Sequence, residues 1–188
     1  MGDSVIQEKS NMKVLFTGAQ GTGKTSVMEA LPDTWPKIQG VTRNCIKKNK
    51  LKINQESTDD SQRAIFDAYE QQLNSKLHFI SERSLFDVLA FTEYQYCIGK
   101  VSQKVFLEQQ KRVREFVEKN PNALYIYFPV EFAPVDDGQR STDEEYQSSI
   151  SSLIKFYLDV FGVKYIKVHG TVEERVNQII ENVSFSGI

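Results

Sequence analysis

The sequence has few cysteines and no long apolar segment. Its two cysteines, Cys45 and Cys97, lie far apart, and neither has another cysteine or a histidine nearby. This pattern excludes a disulfide framework and a structural zinc site, and it is typical of proteins of the reducing cytosol. No apolar run approaches the roughly 20 residues of a membrane-spanning helix, and no basic segment followed by an apolar one begins the chain. We therefore expect a cytoplasmic protein that does not enter a membrane.

The chain also has little net charge. Its 188 residues include 23 Lys and Arg against 25 Asp and Glu, which leaves a formal net charge of -2. This balance argues against a protein that coats nucleic acid or a membrane through bulk electrostatics, although it allows a local basic site. A chain of this length buries roughly 70% of its unfolded surface, so we predict one domain over residues 1–188.

Short strand-forming segments alternate with helical ones along the chain. The predicted strands are 13–17, 38–42, 77–81, 123–128 and 163–168, and the predicted helices are 24–31, 59–73, 84–98, 101–119, 142–161 and 171–183. Capping boxes are expected at Thr142 with Glu145 and at Thr171 with Glu174. Alternation of this kind predicts an α/β fold with a parallel sheet and helices on both faces. Ligands of such sheets bind outside the carboxyl ends of the strands.

A glycine-rich segment directly follows the first predicted strand. Its sequence is Gly18-Ala19-Gln20-Gly21-Thr22-Gly23-Lys24-Thr25, which fits G-x-x-x-x-G-K-[ST] at every position, and Ser26 comes next. We predict that Gly18, Gln20 and residues 21–26 bind the cofactor. Backbone N–H groups of such a loop and the N-terminus of the following helix bind phosphates. Lys24 is expected to reach the β- and γ-phosphates, and the Thr25 hydroxyl to bind Mg²⁺. The segment therefore predicts binding of ATP with Mg²⁺.

A second group of functional residues follows the third predicted strand. Glu82, Arg83 and Ser84 stand at its carboxyl end, and Asp87 comes three positions later. The carboxylate of Glu82 suits a magnesium shell or a proton acceptor, and the Arg83 guanidinium suits phosphoryl oxygens. We predict catalytic roles for Glu82, Arg83 and Asp87. In the alternative, Ser84 caps the next helix and Asp87 completes its capping box.

The order of these motifs resembles the P-loop kinases of nucleosides and nucleotides, with an Asp136-Asp137-Gly138-Gln139-Arg140 loop before a late helix. More narrowly, residues 12 to 183 resemble the small phage-type AAA and ribosylnicotinamide-kinase-like branch. The resemblance implies a three-layer P-loop fold with strand order 2-3-1-4-5, and a Glu82–Arg83 pair at the phosphoryl-transfer centre. It also implies a lid at about residues 130–146, in which Arg140 is a catalytic lid arginine. An ion pair between Arg140 and Glu144 is the alternative.

The predicted end of strand two indicates the acceptor. Thr42-Arg43 resembles the Thr-Arg of thymidylate-kinase-like enzymes, where the arginine holds the acceptor phosphate. No carboxylate stands here, and an acceptor that is already ionised needs cations rather than a base. This favours a nucleotide acceptor, although Glu82 or Asp87 remains available as the base for a hydroxyl acceptor. The basic run contains Arg43, Lys47, Lys48, Lys50 and Lys52, so a polynucleotide acceptor stays open.

Other functions of P-loop proteins fit the sequence less well. A GTPase-like switch needs Asn-Lys-x-Asp, and the nearest string, Asn49-Lys50-Leu51-Lys52, lacks the Asp. The chain is also short for a mechanical AAA motor. We predict phosphoryl transfer from Mg-ATP to a nucleotide of the deoxynucleoside monophosphate type. A kinase of a nucleoside or modified-base hydroxyl is the alternative, an NTP-binding regulatory module is a further one, and a homodimer is compatible with all three.

Overall fold

The computed structural model describes residues 12–51, 57–131 and 143–183. Its strands are β1 Lys13–Thr17, β2 Lys37–Ile38, β3 Phe79–Ser81, β4 Leu124–Tyr127 and β5 Tyr165–Lys167. All pair in parallel, in the order β2-β3-β1-β4-β5. The predicted fold class and strand order are confirmed.

Helices cover both faces of this sheet. They are α1 Lys24–Ala30, α2 Val41–Asn49, α3 Asp59–Ser75, α4 Leu85–Cys97, α5 Gln103–Lys119, α6 Glu144–Val160 and α7 Val172–Asn182. Side chains of β1 alternate between two apolar clusters, because successive residues of a strand point to opposite faces. Leu15 joins the cluster formed with α2 to α6, and Val14 and Phe16 join the one formed with α1 and α7. No described helix is both long and apolar enough to cross a membrane.

The second strand was predicted wrongly at its carboxyl end. We expected residues 38–42 to be extended, but β2 ends at Ile38 and α2 begins at Val41. Gly40 separates the two with φ of 71°, a left-handed conformation that ends extended structure and suits glycine. Val41 and Cys45 then recur at helical spacing and are both buried. Arg43 consequently lies in the first turn of a helix.

The helix caps follow the sequence expectations in part. Thr58 caps α3, and capping boxes begin α4 at Ser84 and α7 at Thr171. The predicted box of Thr142 and Glu145 is wrong, because α6 begins at Glu144 and its N-cap is Asp143. The Asp143 carboxylate accepts hydrogen bonds from the N–H groups of Glu145 and Tyr146, at 2.9 and 3.1 Å. A carboxylate also interacts favourably with the positive end of the helix dipole.

Most of the predicted lid lies outside the described residues. Residues 132–142 are among those not described, and they include Arg140. The catalytic role of Arg140 therefore stays a prediction.

Candidate functional site

The phosphate-binding loop connects β1 to α1, as the motif predicts. Gly18 has φ of 153°, and a Cβ atom there would lie 2.5 Å from the carbonyl oxygen of Phe128. Gly23 caps α1 with φ of 85°, again in the region that favours glycine. The loop thus requires glycine at both positions, once for a close approach to Phe128 just after β4 and once for the turn into the helix.

Lys24 folds back into the loop that it follows. Its Nζ donates to the carbonyl oxygens of Gly18 and Ala19, both at 2.5 Å, and to Thr22 Oγ1 at 3.2 Å. The side chain is buried, yet it lines a cavity. Its ammonium group therefore lies where the loop would receive a phosphate.

The cavity has a volume of about 340 Å³ and lies at the carboxyl ends of β1, β2 and β3. It brings together residues that the sequence separates widely. Of the predicted site residues, it is lined by Gln20, Gly21, Thr22, Lys24, Thr25, Arg43, Glu82 and Arg83. Ser26, on the first turn of α1, is exposed and does not line it. Its charged lining includes Lys24, Arg43 and Arg83 against Glu29 and Glu82, so the site is locally cationic in a chain with net negative charge.

Glu82 connects the ends of two strands. Its Oε1 accepts a hydrogen bond from the N–H of Gly40 at 2.6 Å, and its own N–H donates to Ile38 at 3.0 Å. The carboxylate therefore holds the turn between β2 and α2, from which Thr42 and Arg43 reach the cavity. This position gives Glu82 a structural function in addition to the predicted catalytic one.

Arg83 lies in the cavity wall and is partly buried. Its guanidinium carbon is 5.5 Å from the centre of the Phe91 ring, a cation–π distance. Burial alone would lower the pKa of the Arg83 guanidinium. Tyr69 and the carboxylates of Asp87 and Glu82 outweigh this effect, so the net pKa is raised. The cavity thus contains an arginine that stays charged and packs against the ring of Phe91.

Asp87 does not line the cavity; it is fully buried behind it. Its Oδ2 accepts hydrogen bonds from the N–H and the hydroxyl of Ser84, at 3.0 and 2.7 Å. Its Oδ1 accepts one from the N–H of Gly18 at 3.0 Å. Asp87 therefore forms the capping box of α4. Through its hydrogen bonds it also connects the phosphate loop to the start of that helix. This geometry gives no support to direct catalysis by Asp87.

Arg43 and Thr42 form the other side of the cavity. Arg43 is exposed, and Thr42 Oγ1 lies 3.0 Å from the hydroxyl of Tyr69. Burial raises the pKa of Tyr69 to about 12, so the phenol stays neutral beside Arg83 at ordinary pH. Arg43, the predicted acceptor-binding residue, lines the cavity, although it lies on a helix rather than at the end of a strand.

Sequence reasoning missed a hydrogen-bonded network behind the phosphate loop, in which Arg175 is buried while Glu131 and His169 are exposed. Arg175, on α7, donates to the carbonyl oxygen of Thr22 at 2.7 Å and to Glu131 Oε2 at 2.5 Å. Glu131 Oε1 lies 2.5 Å from His169 Nδ1. No local sequence pattern links Arg175 to Thr22, which lies 153 positions earlier in the chain.

The deep wall of the cavity was also missed. It is formed by side chains of α3, α4 and α6: Gln62, Ile65, Val88, Phe91, Gln95 and Tyr146. In sequence these residues lie on helices whose apolar positions predict a core rather than a pocket.

Residues 13–175 match a profile of the family described as AAA domain. The chain belongs to this AAA domain family. Within the described part of the chain, no three or more His, Cys, Asp or Glu side chains form a cluster that could hold a metal ion. No curated protein matches the sequence.

The AAA domain chain shares its fold with solved structures of other proteins. It superposes on NadR protein in complex with NR with a TM-score of 0.68 and 17% identity, covering 92% of this chain and 52% of that one. For deoxyadenosine kinase from M. mycoides with bound dATP, the TM-score is 0.69 and the identity 18%, covering 91% and 98%. The chain thus spans about half the length of NadR. At such identities the likeness establishes the fold, which is that of the P-loop nucleoside and nucleotide kinases.

Proposed function

We propose that the protein transfers the γ-phosphoryl group of ATP to a nucleotide of the deoxynucleoside monophosphate type. The observation that carries this proposal is the single cavity that joins the phosphate loop to a second cationic side, formed by Arg43 and Arg83. A pocket with phosphate-binding groups at both ends suits a reaction between two phosphorylated substrates. Nucleotide binding by structures of the same fold, with dATP in deoxyadenosine kinase and AMP-PNP in NadR, supports ATP as the donor.

The residues at the donor end fit a magnesium–nucleotide complex. The loop requires glycine at Gly18 and Gly23, Lys24 lies in its concavity, and Thr25 and Glu82 both line the cavity. We assign Mg²⁺ to the Thr25 hydroxyl and the Glu82 carboxylate, oxygen ligands of the kind it prefers. When bound, Mg²⁺ supplies charge neutralisation on the phosphate oxygens.

The transfer needs cations and positioning more than it needs a base. When the donor binds, the Lys24 ammonium exchanges its two carbonyl partners for phosphate oxygens. During transfer it stabilises the negative charge that develops on the phosphoryl group. Arg83 is held by Phe91 and keeps its charge, so it can bind the transferring phosphoryl group. Arg43 and Thr42 orient the acceptor phosphate, which attacks in line and is already ionised.

A second candidate is phosphorylation of a nucleoside or modified-base hydroxyl. It is favoured by the resemblance in fold to deoxyadenosine kinase and by the presence of the Glu82 carboxylate in the same cavity. In that reaction Glu82 would accept the proton of the attacking hydroxyl. An NTP-binding regulatory module is the remaining alternative, since the donor end alone would satisfy it.

The deciding experiment measures ADP release from Mg-ATP with a panel of nucleosides, their monophosphates and oligonucleotides with modified bases. Phosphorylated products are identified by mass spectrometry. Turnover that requires a monophosphate supports the proposal. Turnover with nucleosides or with DNA instead assigns the alternative acceptor, and hydrolysis that ignores every acceptor supports the regulatory module. Lys24→Ala should abolish activity in each case, so it serves as the background control.

A further inference from the structure

One buried side chain in the deep wall of the cavity has an unused hydrogen-bond acceptor. Gln95, on α4, is 3% exposed and lines the cavity, and among the described residues no group donates to its Oε1. Buried amide oxygens are almost always paired, because leaving one without a partner is costly. An unpaired oxygen on a side chain that lines a cavity is therefore evidence for a ligand that carries the missing donor.

Gln62 provides an internal comparison, since it lines the same cavity and is 5% exposed. Its Oε1 accepts a hydrogen bond from Thr92 Oγ1 at 3.0 Å, and its Nε2 donates to Ser57 Oγ at 3.3 Å. Gln62 is thus satisfied by the protein and is fixed in place. Of these two wall glutamines, Gln95 is the one with hydrogen-bonding capacity left for a ligand.

The surroundings of Gln95 favour a flat, largely apolar ligand with a polar edge. Ile65, Val88 and Phe91 line the same part of the cavity, and the rings of Phe91 and Tyr146 lie 6.1 Å apart. A side-chain hydrogen bond with Gln95 acts on the Tyr146 hydroxyl, which places the amide beside it. A heterocyclic base between such walls would bury its faces against apolar groups and present its edge to the amide.

Gln20 also has a buried amide without a partner among the described residues. It belongs to the phosphate loop, so we assign it to the donor end. Gln95 lies on α4, which begins after the Glu82–Arg83 turn, and so belongs to the acceptor end.

We propose that Gln95 Oε1 accepts a hydrogen bond from an amino or ring N–H group on the base of the acceptor. Gln95 is then a specificity-determining residue that rejects bases without a donor at this edge. The inference rests on the proposed function, because it assumes that the acceptor carries a base.

The test compares acceptors that differ only in this donor: adenine with unsubstituted purine, cytosine with 2-pyrimidinone, and thymine with N3-methylthymine, each as nucleoside and as monophosphate. Transfer is measured as kcat/KM, and binding is measured separately by calorimetry. We expect the protein to prefer the donor-bearing member of at least one pair by about 10- to 100-fold, the effect of one buried unpaired group.

Two variants at the site and one outside it complete the test. Gln95→Leu should reduce the preference to about twofold or less, since it removes the acceptor oxygen. Gln95→Glu keeps an acceptor oxygen and should keep the preference. Gln71→Leu, on the exposed side of α3, should leave the preference unchanged.

Equal use of both members of every pair by the wild-type protein would overturn the inference, as would a preference that survives in Gln95→Leu. If Gln95→Leu does not fold, the wild-type pairs and Gln95→Glu decide the question. Selective binding without transfer would support the inference and reject the proposed function. Absence of both binding and transfer for all pairs would reject both.

Discussion

Arg175 Nη1 donates to the carbonyl oxygen of Thr22 at 2.7 Å, so the last helix holds the phosphate loop from behind. The same guanidinium donates to Glu131, and its side chain is 2% exposed. The phosphate loop therefore depends on a residue 153 positions further along the chain. This dependence can be tested without touching any residue that lines the cavity.

We expect Arg175→Leu to raise the KM for ATP by about tenfold while the KM for the acceptor stays nearly constant. The loop loses a hydrogen bond from a charged donor, and such bonds contribute about 1.5–3 kcal/mol. The measurement is steady-state kinetics with each substrate varied, together with thermal unfolding. Arg114→Leu, at an exposed arginine of α5, is the matched control and should change neither KM. An equal rise of both KM values would contradict this role of Arg175.

Two substitutions at Glu82 separate its structural role from its chemical one. Glu82→Gln keeps an oxygen that can accept from Gly40 N–H, so the turn that carries Arg43 should stay in place. It removes the charge, and we expect kcat to fall by about 100-fold or more if the carboxylate holds Mg²⁺ or accepts a proton. Glu82→Ala should cause the same loss and should also raise the KM of the acceptor. Full activity in Glu82→Gln would show that only the hydrogen bond to Gly40 matters.

Arg43→Ala should raise the acceptor KM by about 10- to 100-fold and leave the KM for ATP within about twofold, as expected for loss of one charged contact. Lys47→Ala provides the control, because Lys47 is exposed on the same helix but does not line the cavity. If the KM for ATP alone changes, the acceptor end of the cavity has been assigned to the wrong side.

Glu131 predicts a contribution to stability that depends on pH. Burial alone would raise the pKa of this carboxyl, but hydrogen bonds from His169 and Arg175 outweigh burial and lower it. A carboxyl whose pKa is lower in the folded state stabilises the protein above its unfolded pKa, and this contribution is lost as the pH falls through the folded value. We expect Glu131→Gln to be less stable than wild type at pH 7 and the difference to shrink below about pH 4.5. Urea unfolding at several pH values measures it, and a difference independent of pH would reject this explanation.

The sequence predicted what is local and missed what is assembled from distant segments. The phosphate loop was identified because its residues are contiguous and its function depends on backbone shape. The α/β alternation likewise sufficed for the fold class, and the family resemblance supplied the strand order. The end of β2 was predicted wrongly because the effect of Gly40 depends on its φ, which the hydrophobic pattern does not contain.

The predicted roles of Asp87 and Glu82 show the same limit within the site. Both were plausible catalytic acids by position, but the capping box turns Asp87 inward toward Ser84 and Gly18. Gln95 carries no signal in the sequence, because a polar residue on a buried helix face is informative only when its hydrogen-bond partners are known. Sequence reasoning therefore identifies the residues that bind the phosphates more readily than the residues that select the substrate.

The position of Lys24 has a consequence for the thermodynamics of donor binding. Its ammonium group already has two carbonyl partners in the loop, and the loop is already folded around it. Binding is thus an exchange of one set of oxygens for another around the same cation. The entropy cost of ordering the loop is therefore part of folding and not of binding. The measured affinity then depends mainly on how much more strongly Lys24 interacts with phosphate oxygens than with the carbonyl oxygens of its own loop.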